Sequence, residues 1–429
     1  MRHFRISLIL LIFCFIQISN AQVFKDPWRY PEQNQIMGGL GITWIDDQPY
    51  TTLTLAPDIS FGKIGVGLYL QFLFSNQNDF KLRTDEFDDP PGFLRVIRYV
   101  RYGQKYDPFY ARFGWLHNSS LANGFIMWNY TNSSNYDKRK LGLVADFDFD
   151  TFGIETIYSN FSRLEIVGGN LYFRPFRLMS TPPFILKNLR IYGTYVYDDN
   201  IKTVDDQGNS TTEVLRAYGI GTDLQWLNLP VLKSFLYAEY GKFVHYGQGK
   251  TIGISAVIPE LIGVFGMAAR LERRWLGEKF IPNFFGPLHE LNRNIGVLDA
   301  LDQAPKTKGI FGELSGHVIN KVLLIGNYQY LDDVKNSGRV HLEASAPELI
   351  PKFRLRAYYD KGGIETWDDL TTLDNRSLAV GEIGYNIYPF IYLMVVYQWY
   401  WVEERDNFGN VEYRPVERVE PRISFSYNF

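Results

Sequence analysis

The chain has 429 residues, a formal net charge of −3 at pH 7 and an aromatic content of 16%. Mild acidity argues against nucleic acid as a partner. Beyond the first 22 residues no stretch reaches the roughly 18 consecutive apolar residues of a membrane-spanning helix, so the sequence excludes a helical membrane protein.

The N-terminus has the pattern of a secretory signal peptide. Arg2 and Arg5 form a basic start, an apolar run covers 6–18, and the small residues before Gln22 suit a cleavage site near Ala21. We predict a signal peptide over 1–21, a short periplasmic tail over 22–33 and a single membrane domain over 34–429. The single cysteine, Cys14, falls in the predicted signal, so the mature chain is expected to contain no thiol.

The rest of the chain repeats with a period of two, which is the side-chain period of a β-strand. In 140–150 apolar side chains alternate with polar and charged ones, and similar stretches of ten or more residues recur to the C-terminus. Strands of that length suit a tilted crossing of a bilayer. We predict an all-β fold, a transmembrane antiparallel up-and-down β-barrel of about 20 strands (range about 18–22). The predicted strands are 34–46, 49–59, 62–75, 107–117, 123–131, 139–149, 152–160, 163–175, 188–198, 213–226, 231–243, 248–259, 262–274, 308–319, 321–331, 337–346, 352–361, 376–387, 389–403 and 417–429.

An even strand number places both termini on the periplasmic side. Long and short connections then alternate, so that 199–212, 275–307, 331–337 and 361–375 become external loops, and 259–261 and 346–351 become periplasmic turns. The connection 175–188 is long for a turn.

Segment 91–103 does not fit this count, because an additional strand would make the number odd. Its arginines Arg95, Arg98 and Arg101 are spaced by three, so on a regular strand at least one would point to lipid. We therefore expect the segment to fold into the lumen or to cap the mouth of the barrel; within the lumen the arginines would narrow the pore and attract anions. Two alternatives stay open: another strand is miscounted, or the arginines pair with Asp146 and Asp148 and only brace the wall.

Charged residues on the other strands also require a polar interior, because Arg or Lys facing lipid at mid-depth costs about 2–4 kcal/mol. Such residues either line a permeation path or pair across strands and support the wall. The predicted pore-lining set is Arg95, Arg98, Arg101, Asp146, Asp148, Arg270, Glu272, Arg339, Glu343, Arg354, Arg356 and Arg422.

The final strand, 418–429, places Phe425, Tyr427 and the terminal Phe429 on one face. It resembles the assembly signal of bacterial outer-membrane β-barrels, and the stretches 97–116 and 124–130 resemble a block in uncharacterised porin-like barrels. The resemblance implies an outer-membrane location, contact with outer-membrane lipid and lipopolysaccharide, and insertion by the barrel-assembly machinery. It gives no activity.

Two functions compete at this stage. The first is a passive pore or uptake channel for small polar solutes, and the alternative is a non-conducting barrel that acts as a surface binding or assembly platform through its external loops. The histidines lack metal-ligand spacing, and we find no cofactor motif and no catalytic constellation, so we expect neither a cofactor, nor a metal, nor an enzyme.

Overall fold

The computed structural model describes residues 34–45, 48–76, 80–84, 96–133, 140–204, 210–261, 264–293, 297–319, 321–346, 349–374, 376–405 and 411–428. The predicted signal peptide and tail, Arg95 and Phe429 lie outside these residues. Within them no helix is long and apolar enough to cross a membrane.

The chain forms a closed antiparallel barrel of 20 strands, which confirms the predicted fold class. Each strand pairs with its neighbours in sequence, and the last strand pairs with the first. The third strand is broken at Tyr69, and both halves pair with the second strand. The strands are β1 (Gln35–Ile45), β2 (Gln48–Phe61), β3 (Ile64–Leu68 and Leu70–Ser75), β4 (Ile97–Tyr102), β5 (Phe109–Gly114), β6 (Gly142–Asp148), β7 (Phe152–Tyr158), β8 (Ile166–Phe173), β9 (Arg190–Val204), β10 (Ser210–Asn228), β11 (Lys233–Phe243), β12 (Gln248–Leu261), β13 (Phe265–Leu276), β14 (Thr307–Val318), β15 (Val322–Leu331), β16 (Gly338–Ala346), β17 (Phe353–Ile364), β18 (Ser377–Tyr388), β19 (Ile391–Arg405) and β20 (Val411–Asn428).

Short helices lie in the connections. They are α1 (His289–Asn292), α2 (Val297–Asp302) and α3 (Trp367–Thr371), with two 3₁₀ turns at Pro175–Leu178 and Leu186–Asn188. We call the end where β1 begins and β20 ends the terminal end, and the opposite end the loop end. The connections predicted to be external all lie at the loop end, and 175–188 lies at the terminal end.

The barrel has an apolar exterior and a polar interior. Exposed side chains such as Ile252, Leu271 and Leu314 cover the outer face of β12–β14. On the inner face one row of paired residues crosses six strands and consists of Ser255, Arg270, Glu313, Asn327, His341 and Asp360. The charges thus lie inside and the large apolar side chains outside. This arrangement is favourable only for a barrel that is surrounded by the hydrocarbon of a membrane.

The expectation that 91–103 folds into the lumen is wrong for its described part, because 97–102 is strand β4. Gly67 pairs with Tyr99 while Leu68 pairs with Ile97, so Arg98 is the extra residue of a β-bulge. The bulge changes the alternation, and Arg98 and Arg101 both line the lumen. No arginine of this strand is therefore forced toward lipid, and the cost that argued against a strand disappears.

The prediction of a strand over 123–131 is also wrong. Because 97–102 forms a strand that the predicted set lacks, the two errors cancel and the total stays at 20. The chain leaves the wall after Gly114 and runs through the lumen until Asn132. Asn118, Ala122 and Asn129 adopt the left-handed conformation, which interrupts an extended strand.

Close aromatic–glycine pairs join neighbouring strands. The ring of Tyr192 covers Gly221, and the ring of Tyr172 covers Gly153, so that a Cβ on either glycine would lie 2.3–2.4 Å from ring atoms. The flat ring thus fills the space above the glycine of the adjacent strand.

Strand β20 closes the barrel. Phe425 pairs with Gly38 and Tyr427 pairs with Ile36 of β1, and both aromatic side chains are exposed on the outer face. Recognition of this strand by an assembly machinery stays a prediction.

Candidate functional site

Two segments from the loop end enter the lumen and pack against each other. We call 115–132, 277–293 and 297–306 together the plug. Met127 and Phe285 form a parallel β-bridge, and the Trp128 amide donates to the Phe285 carbonyl at 3.1 Å. The Asn283 side chain donates to the Gly124 carbonyl at 2.9 Å. The predicted external loop 275–307 therefore connects strands at the loop end, but its described residues fold inward.

The plug has its own apolar core against one side of the wall. Phe243 of β11 lies 5.2 Å from the rings of both Phe280 and Phe284, and Phe285 and Met127 are fully buried. Burial of each phenylalanine side chain stabilises the folded state by about 1.5–3 kcal/mol. The plug thus fills the sector of the lumen bounded by β6–β14.

The opposite sector holds a cavity of about 420 Å³. It lies between β1–β5 and β17–β20, and Trp115 and His117 of the plug form part of its lining. Among the described residues, eight cationic side chains line it against three carboxylates, and one of these cations, Lys105, is paired with Asp146. The cations are Arg98, Arg101, Lys105, Arg112, Arg354, Arg356, Arg418 and Arg422, and the carboxylates are Asp58, Glu382 and Glu420.

Strands β2, β4 and β5 build one wall of this basic cavity. Arg98 and the Tyr99 hydroxyl both donate to Asp58. The Arg112 guanidinium stacks on the Tyr99 ring at 4.1 Å and donates from Nε to the Trp115 carbonyl at 3.1 Å. Arg98 therefore pairs with Asp58 and not with Asp146 or Asp148, which were the partners proposed from the sequence.

Strands β17–β20 build the facing wall. Arg418 donates from Nε to Thr43 at 2.6 Å and from Nη2 to Glu420 at 3.1 Å. Arg422 lies 3.9 Å from the same carboxylate, and Arg356 is exposed to the cavity opposite Glu382. Glu420 thus pairs with two arginines, so positive charge remains in excess on this wall.

Other predicted pore-lining residues are buried in pairs and brace the filled sector. Asp146 accepts from Lys105 at 2.5 Å, and Asp148 accepts from Arg174 at 2.8 Å. Glu272 accepts from Arg274 at 2.7 Å.

Arg270 is held by the plug as well as by the wall. Its guanidinium stacks on Trp128 at 3.7 Å and donates to the Asn123 carbonyl at 2.5 Å. Arg339 faces the lumen opposite Gln329, and Glu343 lies 2.9 Å from His341. Among the described predicted residues, Arg98, Arg101, Arg354, Arg356 and Arg422 share the basic cavity.

His117 is exposed to the cavity and lies near several guanidinium groups. Desolvation within the lumen, and then the nearby guanidinium groups of Arg112, Arg98 and Arg356, lower the pKa of its imidazole well below the usual value. The permanent cations of arginine and lysine therefore set the electrostatics of the site.

Sequence reasoning missed Asp58, Lys105, Arg112 and Glu382 as cavity residues, together with the plug. The asparagines and the Asn123-Gly124 pair in 118–129 are turn signals that could have indicated the plug segment. Within the described ranges no three His, Asp, Glu or Cys side chains are grouped so that they could hold a metal ion.

No protein-family model matches the chain, and no curated protein sequence matches it. Solved structures do. Pseudomonas aeruginosa OccK9 (OpdG) is 12% identical, with a TM-score of 0.34, and the match covers 92% of this chain and 97% of that chain. Pseudomonas aeruginosa OccK2 (OpdF) in complex with glucuronate is 9% identical, with a TM-score of 0.35 and coverages of 92% and 96%. Acinetobacter baumannii OccAB3 is 11% identical, with a TM-score of 0.33 and coverages of 92% and 98%.

Proposed function

We propose that the protein is a passive channel of the bacterial outer membrane that admits small polar solutes and prefers anions. The observation that carries this proposal is the 420 Å³ lumen cavity, which eight cationic side chains and three carboxylates of the described residues line. Such a cavity, enclosed by a low-dielectric wall, raises the local concentration of anions and repels cations.

The barrel geometry supports a membrane location. Large apolar side chains are exposed around the outer face, and charged residues of the same strands point inward. We infer contacts with outer-membrane lipid and lipopolysaccharide, and insertion through the barrel-assembly machinery guided by Phe425, Tyr427 and Phe429.

The experiment is conductance of the purified, heat-modifiable protein in planar bilayers, with swelling of solute-loaded liposomes as a second readout. We expect single-channel steps and faster uptake of small anions than of cations of equal size. A folded barrel with neither conductance nor swelling would favour the alternative, a surface platform that binds partners through its loops.

A further inference from the structure

Helix α1 crosses the lumen and touches both walls. On one side His289 Nε2 lies 3.0 Å from Asp198 Oδ2 of β9. On the other side Leu291 forms a buried apolar contact with Leu378 of β18, and Leu288, Tyr358 and Tyr400 pack around this pair. This single helical turn thus presents a polar face to β9 and an apolar face to β18, because His289 and Leu291 lie on opposite sides of the helix axis.

The polar face of α1 is anchored to the wall by buried ion pairs. Arg293 contacts Asp198 of the wall, Glu290 of α1 at 3.6 Å and Glu165 of the β7–β8 connection at 3.8 Å. Lys140 bridges Glu165 and Glu290. The side chains of Glu165 and Asp198 are fully buried, so separating these partners would leave charges uncompensated in a dry site.

The contact of the apolar face with β18 can open more easily, because apolar contacts are non-directional and no buried charge is left behind. It is also placed at the boundary of the basic cavity. Tyr358 and Tyr400 lie two residues from Arg356 and Gln398, which line the cavity, and both tyrosines are on the loop-end side. A solute that enters from the loop end along this wall meets the Leu291–Leu378 contact before it meets the arginines.

We propose that Leu291 is a specificity-determining residue of the channel, because its contact with Leu378 closes the loop-end entrance of the basic cavity. This inference rests on the proposed channel function. Solutes pass when the Leu291 side chain turns away from Leu378 while the Arg293 anchor stays in place. A hydrophobic constriction of this kind limits passage by size and by hydration, and the arginines behind it act on charge.

A reversible crosslink gives the sharpest test. The single cysteine lies in the predicted signal peptide, so the double variant Leu291→Cys/Leu378→Cys would carry the only thiols of the mature chain. We expect oxidation to lower conductance at least about tenfold and dithiothreitol to restore it in the same molecules. The matched control is Met127→Cys/Phe285→Cys, which joins the two plug segments across their bridge and leaves the entrance free.

A second variant opens the entrance instead. Leu291→Ala should raise conductance roughly twofold and admit larger solutes in liposome swelling. Leu298→Ala, a buried leucine of α2 in the apolar core of the plug, should change neither. Unchanged conductance in the oxidised Leu291–Leu378 crosslink, with a conducting wild type, would overturn this assignment and leave the channel function standing. Absence of conductance in both the wild type and Leu291→Ala would instead overturn the channel function.

Discussion

The ring of Tyr237 on β11 covers Gly253 on β12 so closely that a Cβ at position 253 would lie 2.2 Å from the ring carbon Cζ. The Tyr237 hydroxyl in turn donates to Glu272 of β13 at 2.8 Å. One aromatic side chain therefore links three neighbouring strands on the lumen side.

Gly253→Ala should destabilise the barrel by about 1–3 kcal/mol, because the added methyl group must displace a ring that is also held by Glu272. Gly381→Ala is the matched control, since a Cβ there meets nothing within 4 Å. Urea unfolding in lipid vesicles, followed by tryptophan fluorescence, measures both. Equal midpoints for the two variants would show that the tyrosine ring is not a fixed element of the wall.

The pairing of Arg98 with Asp58 predicts that removal of the Asp58 carboxylate increases anion selectivity. Asp58→Asn takes away one of the three carboxylates of the cavity and leaves all eight cations, so anion preference should rise. The reversal potential in a salt gradient measures the change, and heat-modifiable mobility controls for folding. A shift toward cations would mean that Arg98 leaves the cavity when it loses its partner.

The placement of the connections predicts two classes of labelling sites in intact cells. Asp368→Cys, on the exposed helix α3 at the loop end, should react with a membrane-impermeant thiol reagent from outside. Thr181→Cys, exposed in the turn 174–189 at the terminal end, should react only after the outer membrane is breached. The reverse pattern is incompatible with the proposed orientation of the termini.

The lowered pKa of His117 predicts selectivity that does not respond to mild acid. Its imidazole should stay neutral between about pH 7.5 and about pH 5.5, whereas an ordinary histidine would gain a proton and strengthen anion preference. Reversal potentials at both values test this expectation. The contrary result is a rise in anion preference at the lower pH that is lost in His117→Leu or His117→Gln. It would show that His117 titrates in the cavity.

Much of the architecture could be predicted from the sequence, because strand periodicity is a local property. The alternation in 140–150 placed Asp146 and Asp148 inward, and the even strand number followed from parity. Arg354, Arg356 and Arg422 were assigned to the lumen by the same rule, and the structure places all three in the cavity.

The sequence-based predictions are wrong where pairing with another strand or packing inside the lumen decides whether a segment forms a strand and which way its side chains point. The bulge at Arg98 depends on the register of β4 against β3, which the sequence of β4 alone does not contain. The run Phe125–Met127 has the composition of a strand, yet its consecutive buried side chains face an interior core rather than lipid on one side. Likewise, periodicity could not separate Asp146, which is neutralised by Lys105, from the arginines that leave the cavity positive.

In the function that we propose, the excess of cations in the cavity makes the barrel an anion-preferring channel. The most direct test is the reversal potential of single channels in a potassium chloride gradient, for the wild type and for Arg98→Gln/Arg356→Gln/Arg422→Gln. We predict anion preference in the wild type and a clear shift toward cations in the triple variant, whose cavity keeps five of its eight cationic side chains. A wild-type channel that prefers cations, or a triple variant with unchanged selectivity, would show that these cations do not determine the selectivity of the channel.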